Sequence, residues 1–245
     1  MTIDADIKKN FVPIILCGGR GKRLLEKTRS IPKPLVEVAG KPILMHVLYE
    51  LNKIGFGQCI IAIGYLGEKI KEVVGKSYGN MEIQYSDSGL DAGMLKRVYN
   101  AARLTEKNIY VTYGDTFTKI DWSSIQSIHD ENQENVIILT SKIQNPFGVI
   151  EYDKNKLVKK FKEKPVLDYY IGHFFAKKNH INRIKSSLIE LDDGEGLVNW
   201  FNELIKLNKL YAHSNNGLQI TFNTYNELEE ASQKLNNYFS IKEKS

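Results

Sequence analysis

Short apolar runs separated by stretches of helical spacing organise the first half of the chain. Ile14 to Cys17 is a β-branched run with the length of a buried strand. Ile43 to Ile54 carries apolar residues at helical spacing, and Gly55 stops it. Cys59 to Gly64 reads as a second buried strand, Glu68 to Val74 as a short helix closed by Gly75, and Glu82 to Tyr85 as a third strand. Asp91 to Leu104 predicts a helix with Asp91 as its cap, and Asn108 to Tyr113 a fourth strand that runs into Gly114-Asp115. Strands that alternate with helices at crossover lengths predict a parallel, doubly wound α/β sheet.

Beyond residue 120 the pattern changes. Asp121 to Glu131 predicts a helix and Val136 to Ser141 a strand. Strand-like pieces come next at Gly148 to Tyr152, Leu157 to Lys162 and Ile171 to Ala176 with short turns between them, which predicts an added mixed or antiparallel portion. Helices are expected over Asn179 to Glu190 and Glu195 to Leu207, strands over Leu210 to His213 and Leu218 to Phe222, and a last helix over Asn226 to Tyr238. The Lys/Glu/Ser tail after Ile241 is expected to fray. No internal repeat or low-complexity linker interrupts the pattern, so one domain over residues 1–245 is the economical expectation.

Composition narrows the class. With 42% hydrophobic and 26% charged residues, the chain has the balance of a soluble globular protein. Its 34 Lys+Arg against 29 Asp+Glu give a net charge of +5, mild enough to suit an anionic small substrate and too scattered for nucleic acid. Cys17 and Cys59 sit near the ends of apolar runs without metal-ligand spacing, so buried thiols in a reducing compartment are expected. No apolar stretch approaches the ~18 residues of a membrane span, and Met1 to Asn10 lacks the apolar core of a signal peptide. A cytoplasmic location follows as an expectation.

Candidate chemistry begins where the first strand stops. Gly18, Gly19 and Gly21 let backbone N–H groups approach a phosphate without a Cβ in the way. Arg20, Lys22, Arg23 and Lys33 bring cations to the same mouth, where Arg grips phosphate in a fork and Lys offers a mobile charge. Taken alone, glycines after a strand read equally well as a turn. Their spacing fits neither the dinucleotide GxGxxG nor the GxxxxGK[ST] loop.

The order of motifs along the chain is more specific than any one of them. Gly18-Gly19-Arg20-Gly21-Lys22-Arg23-Leu24, then Pro32-Lys33-Pro34-Leu35, then Gly40-Lys41-Pro42 resembles the signature of the sugar-phosphate nucleotidyltransferases. The resemblance implies a Rossmann-like fold with a doubly wound, mostly parallel but mixed sheet. It divides the domain into a nucleotide-binding half, residues 1–141, and an acceptor-binding half with the C-terminal helices, residues 142–245. It also implies Mg²⁺ as cofactor, with a nucleoside triphosphate and a small phosphorylated acceptor as partners; self-association is left open.

The resemblance also implies roles for single residues. Leu16, Gly18, Gly19, Gly21, Arg23 and Gly114 would hold nucleotide, and Arg23, Lys33 and Asp115 would carry catalysis. Asp115, at a strand end where open sheets bind ligands, would hold Mg²⁺. Read locally, it would serve as well to cap the next helix. Asn223 matches the second metal position, where many relatives have Asp. Gly93-Met94-Leu95-Lys96-Arg97, with Tyr113-Gly114-Asp115 after it, is similar to the glucose-1-phosphate cytidylyltransferases. That likeness favours CTP over UTP or GTP, with Gly93, Lys96 or Arg97 at the base or triphosphate.

Phe161-Lys162-Glu163-Lys164-Pro165 resembles the family's acceptor-phosphate motif, and Gly148 its acceptor glycine. The family's next segment usually carries an Asn for sugar hydroxyls, but this chain has Ile171-Gly172-His173. Gly172 and His173 remain acceptor candidates, although His173 reads more readily as a satisfied core histidine. An Ile in that place suggests a non-sugar acceptor, and the phosphoglutamine cytidylyltransferases of capsule phosphoramidate synthesis would fit. The expected reaction is in-line attack by the acceptor phosphate on the α-phosphorus of the nucleotide, releasing pyrophosphate. A rival expectation is a regulatory domain that binds nucleotide without turnover.

Overall fold

Phe11–Leu16 is apolar throughout and buried up to its last residue, and a strand of that kind is stable only between two layers. The computed structural model describes residues 5–21, 28–125 and 135–242. Its strands are β1 (Phe11–Leu16), β2 (Glu37–Val38), β3 (Lys41–Pro42), β4 (Gln58–Ile63), β5 (Ser77–Tyr78), β6 (Met81–Asp87) and β7 (Asn108–Tyr113). They continue as β8 (Phe117–Thr118), β9 (Val136–Gln144), β10 (Val149–Tyr152), β11 (Val158–Lys162), β12 (Val166–Ala176), β13 (Leu210–Ser214) and β14 (Gln219–Ile220). The helices are α1 (Ala5–Asn10), α2 (Ile43–Ile54), α3 (Gly67–Val74), α4 (Met94–Ala102), α5 (Lys178–Asn182), α6 (Ser186–Ile189), α7 (Glu195–Lys206) and α8 (Tyr225–Lys242).

The main sheet has eight strands in the order β13-β9-β12-β7-β1-β4-β6-β5. β7, β1, β4 and β6 run parallel, while β12 lies antiparallel to both β7 and β9. The sheet is therefore mixed and mostly parallel, as expected. From β1 the chain steps outward to β4 and β6, then returns to the other side of β1 as β7. That reversal is a topological switch point, and the crevice beyond the carboxyl ends of β1 and β7 is where such sheets bind ligands.

Layers form on both faces. Leu44, Leu48 and Leu51 of α2 and Ile70 of α3 share a buried cluster with Ile15, Ile61 and Ile63. Leu95 and Val98 of α4 and Leu197 and Trp200 of α7 cover Ile14, Ile60 and Val111 on the opposite face. A third cluster joins Val36, Val38 and Ile43 to Phe117, Ile220, Phe222 and Leu235, seating α8 beside the β8–β14 ribbon. Among the described residues no helix is long and apolar enough to cross a membrane.

α2 has the bounds its periodicity predicts, and Gly55 closes it at φ 96°. Other elements differ. α4 starts after Gly93, not at Asp91, because Asp91 turns its carboxylate to Arg20 at 3.1 Å. The helix expected over 179–190 breaks into α5 and α6, which lets Ile181, Ile184 and Ile189 all enter one core. β12 begins five residues before Ile171, since its exposed half pairs with the exposed end of β9 as a ribbon projecting from the sheet. Residues 122–125 of the helix expected over 121–131 are helical; its remainder lies outside the described residues. α8 runs to Lys242, past the expected fraying point.

Candidate active site

Everything that meets at the switch point is brought there by turns rather than by strands. Gly114 follows β7 directly, and its N–H donates to the Leu16 carbonyl at 3.0 Å. A Cβ at Gly114 would stand 2.3 Å from Cys17 Sγ, so glycine alone lets the two strand ends close. Gly21 has φ 60°, and its Cα side faces Lys33, whose Cβ a side chain there would meet at 3.2 Å. The Thr28 hydroxyl donates to the Gly21 carbonyl at 3.1 Å. The glycine loop and the Lys33–Leu35 turn are thus one continuous surface. Gly19 is open to space on its side-chain side.

Lys33 is buried, with a side chain only 10% exposed. Its Nζ donates to Asp115 Oδ2 at 2.7 Å and to Asn223 Oδ1 at 3.3 Å. The Phe222 ring centroid is 5.2 Å from the same nitrogen. Three residues named from separate motifs therefore converge on one point. Asn223 is held in place by the start of α8: its N–H donates to Glu227 Oε2 at 2.6 Å, and the Glu227 N–H donates to Thr224 Oγ1 at 3.3 Å. This is a variant of the capping box in which Glu227 reaches back to the residue before the N-cap Thr224, and its Thr-x-x-Glu signal is present in the sequence.

A carboxylate and an amide oxygen that share one cationic nitrogen form an all-oxygen donor pair of the kind a hard divalent cation accepts, with phosphates and waters completing the shell. The donor set fits Mg²⁺. Among the described residues no cluster of three or more His, Cys, Asp or Glu side chains suits a metal.

Arg97 and Lys96 have different places from those expected. The Arg97 side chain is buried beneath the strand ends, where its Nη1 donates to the Ile63 carbonyl at 2.6 Å and its Nη2 to the Leu90 carbonyl at 3.2 Å. Cβ atoms added at Gly18 or Gly64 would fall 2.3–2.4 Å from its guanidinium. Burial lowers the Arg97 pKa, opposed by the carboxylates of Asp87, Asp193 and Asp91. It acts as a strut under the glycine loop, with its fork engaged by backbone carbonyls. Arg97→Lys keeps the charge and loses the fork, so a melting temperature lower by about 5–10 °C is expected in a thermal melt. An unchanged value would mean that the strut carries no stability. Lys96 donates to Glu190 at 2.6 Å, an ion pair across α4 and α6 that engages it away from the glycine loop. Gly93 is a packing glycine: a Cβ there would lie 2.4 Å from the Leu191 carbonyl, and the Met94 N–H already donates to Asp193 O at 2.7 Å.

On the acceptor side, Gly148 packs against Phe161 and Glu163 at the foot of the β10–β11 ribbon. Lys164 takes a left-handed φ of 40° in the turn from β11 to β12. Gly172, at φ 84°, lets β12 bulge against the Tyr113 ring, which a Cβ would meet at 2.7 Å. His173 sits in the core, as the second of its two readings has it. It is 2% exposed, its Nδ1 pairs with the Tyr110 hydroxyl at 2.7 Å and its Nε2 with Thr118 Oγ1 at 2.8 Å. Burial lowers its pKa to about 3, so it stays neutral at working pH. Ile171 is also buried, in the core with Tyr110 and Phe175. At 3% exposed, it packs as a core residue. Arg23 and Lys22 lie outside the described residues. Both cysteines are free and buried, and burial together with Asp115 and Cys59 raises the Cys17 thiol well above its usual range. A thiol so protonated is no nucleophile.

Comparisons with known proteins bear on the family and the fold. Residues 12–216 match the family model described as "Nucleotidyl transferase". A probable glucose-1-phosphate cytidylyltransferase of Bacillus subtilis is 27% identical over 247 aligned residues, covering 91% of this chain and 95% of that protein. A D-glycero-alpha-D-manno-heptose 1-phosphate guanylyltransferase of Campylobacter jejuni is 34% identical over 154 residues, covering 62% of this chain and 67% of that protein. Among solved structures, a putative glucose-1-phosphate thymidylyltransferase from Bacillus anthracis superposes with a TM-score of 0.73 at 20% identity, covering 91% of this chain and 94% of that one. At that identity the last likeness speaks for the fold alone.

Proposed function

This chain belongs to the nucleotidyl transferase family, and from that premise we propose that it transfers CMP from CTP to the phosphate of a sugar phosphate, releasing pyrophosphate and forming a CDP-activated sugar. The observation that carries a catalytic reading is the meeting of Lys33, Asp115 and Asn223 beside the glycine loop at the switch point. A domain kept only for regulation has no need of that set.

The acceptor phosphate is already anionic near neutral pH, so its oxygen attacks the α-phosphorus without a general base. Catalysis then rests on alignment and charge neutralisation, and alignment alone can supply roughly 7–11 kcal/mol of barrier lowering. Backbone N–H groups of Gly18 to Gly21 cradle the triphosphate, with Arg23 on the leaving pyrophosphate. Asp115 and Asn223 would hold Mg²⁺, which would supply charge neutralisation to the bound phosphates. Lys33 holds the reacting phosphates in register, and Lys164 takes the acceptor's phosphate.

The choice of CTP rests on the Gly93 to Arg97 segment and on the cytidylyltransferase relative that spans nearly the whole chain. The sugar-phosphate acceptor rests on the hexose and heptose phosphates in the relatives' names. A pyrophosphate-release panel tests both choices by crossing the four nucleoside triphosphates with glucose 1-phosphate, a heptose 1-phosphate and phosphorylated amino acids. CTP with a sugar phosphate should turn over at least ~10-fold faster than any other pairing, a margin of about 1.4 kcal/mol. Faster release with GTP would move the assignment to a guanylyltransferase, and a phosphoamino acid preferred over every sugar would overturn the acceptor.

A further inference from the structure

β8 and β14 form a two-stranded ribbon outside the eight-stranded sheet. Gln219 pairs with Thr118 and Ile220 with Phe117. One end of this ribbon leads directly to Asp115 and, on the other strand, to Asn223. The ribbon is therefore one of the supports of both oxygen donors, beside the end of β7 for Asp115 and the start of α8 for Asn223.

Besides the apolar packing of Phe117 and Ile220 and the Lys119–Glu50 ion pair at 2.8 Å, a small set of hydrogen bonds ties the ribbon to β12 and β9. His173 Nε2 meets Thr118 Oγ1 at 2.8 Å, and the Tyr169 hydroxyl donates to Gln219 Oε1 at 2.7 Å. Asn215, 2% exposed, donates its backbone N–H to Thr140 O at 2.7 Å and its side-chain amide to Lys119 O at 3.2 Å. Packing alone does not fix Thr118. It borders a cavity of about 20 Å³, lined also by Thr112, Thr116, Glu50 and His173, so the hydroxyl has room to shift unless a hydrogen bond directs it. His173 is itself locked by Tyr110 at 2.7 Å and by stacking on that ring at 5.9 Å. It is a rigid anchor. Both anchors, His173 and Tyr169, lie on β12, on either side of the bulge at Gly172 that presses on Tyr113.

We propose that His173 and Tyr169 are positioning residues for the divalent-cation site: through Thr118 and Gln219 they tie the acceptor-side strand β12 to the ribbon that carries Asp115 and Asn223. This rests on the reading of Asp115 and Asn223 as the cation's ligands. Partners of this kind set ligand orientation, and their loss commonly lowers metal affinity by about 10–100-fold.

The test uses the full chain with Thr118→Val, which removes the hydroxyl at constant shape, and Thr118→Ser, which retains it. Tyr169→Phe, at the solvent-exposed anchor, keeps the proposal testable if the valine variant fails to fold. Two quantities are read: amide hydrogen exchange of residues 219–223 in the free protein, and the Mg²⁺ concentration for half-maximal pyrophosphate release at saturating CTP and sugar phosphate. Thr118→Val, and to a lesser degree Tyr169→Phe, should speed exchange in 219–223 and raise the Mg²⁺ requirement about five- to tenfold. Thr118→Ser should stay within about twofold of the parent. Unchanged exchange, or faster exchange with an unchanged Mg²⁺ requirement, would overturn the proposal. Asp115→Asn separates the two failures. If it leaves the Mg²⁺ requirement unmoved, the ligand reading is wrong; if it raises the requirement and Thr118→Val does not, only the coupling is wrong.

Discussion

Asp115→Asn is expected to lower turnover by about 10²–10³-fold while changing the nucleotide KM by no more than about threefold. Asp115 is the carboxylate that Lys33 reaches, at 2.7 Å, at the carboxyl end of β7. An amide in its place keeps the shape and an acceptor oxygen but removes the negative charge. Nucleotide binding should survive, because the glycine-loop amides are untouched. The charge matters most once negative charge is shared between attacking and leaving oxygens, so its loss falls on turnover. Steady-state pyrophosphate release at saturating nucleotide reads the effect. Activity equal to the parent would remove Asp115 from the reaction.

Lys33→Met should produce two effects of opposite sign. Turnover should fall by about 10²-fold, because a positive charge fixed beside the phosphates is lost. Mn²⁺ affinity of the nucleotide-free protein should rise, because the Lys33 ammonium sits between Asp115 Oδ2 and Asn223 Oδ1 and competes with any other cation there. Methionine matches the buried stem, and the side chain is only 10% exposed, so packing is largely kept. Titration of Mn²⁺ by electron paramagnetic resonance beside the turnover assay separates the two. An unchanged turnover would put Lys33 outside the reacting shell, and a weaker Mn²⁺ affinity would show that it does not compete for the donor pair.

Much of this arrangement is legible in the amino-acid order. Lys33, Asp115 and Asn223 come from three motifs far apart in the chain, and they meet at one nitrogen. Strand and helix patterns are clearest where the core imposes them, as in β7 and α2, whose ends coincide with the periodicity. Where pattern and fold part, one physical cause recurs: a residue's chemistry does not say which way the fold turns it. Arg97 looks like a nucleotide contact, but its guanidinium is engaged by two backbone carbonyls below the loop. Asp91 looks like a cap and instead pairs with Arg20. Ile171 looks like a lost sugar contact and is a core residue. The exposed half of β12 gives no strand pattern, because a projecting ribbon has no core to impose alternation. The Thr224–Glu227 capping box that seats Asn223, by contrast, has a readable spacing.

If the glycine loop, Lys33, Asp115 and Asn223 form one triphosphate and cation site, a crystal of the chain soaked with CTP and Mn²⁺, with anomalous scattering used to locate the metal, will reveal it. A Mn²⁺ peak is expected in contact with the side-chain oxygens of Asp115 and Asn223, with β- and γ-phosphates against the amides of Gly18 to Gly21. A triphosphate bound elsewhere, or a metal peak that touches neither side chain, would contradict that arrangement.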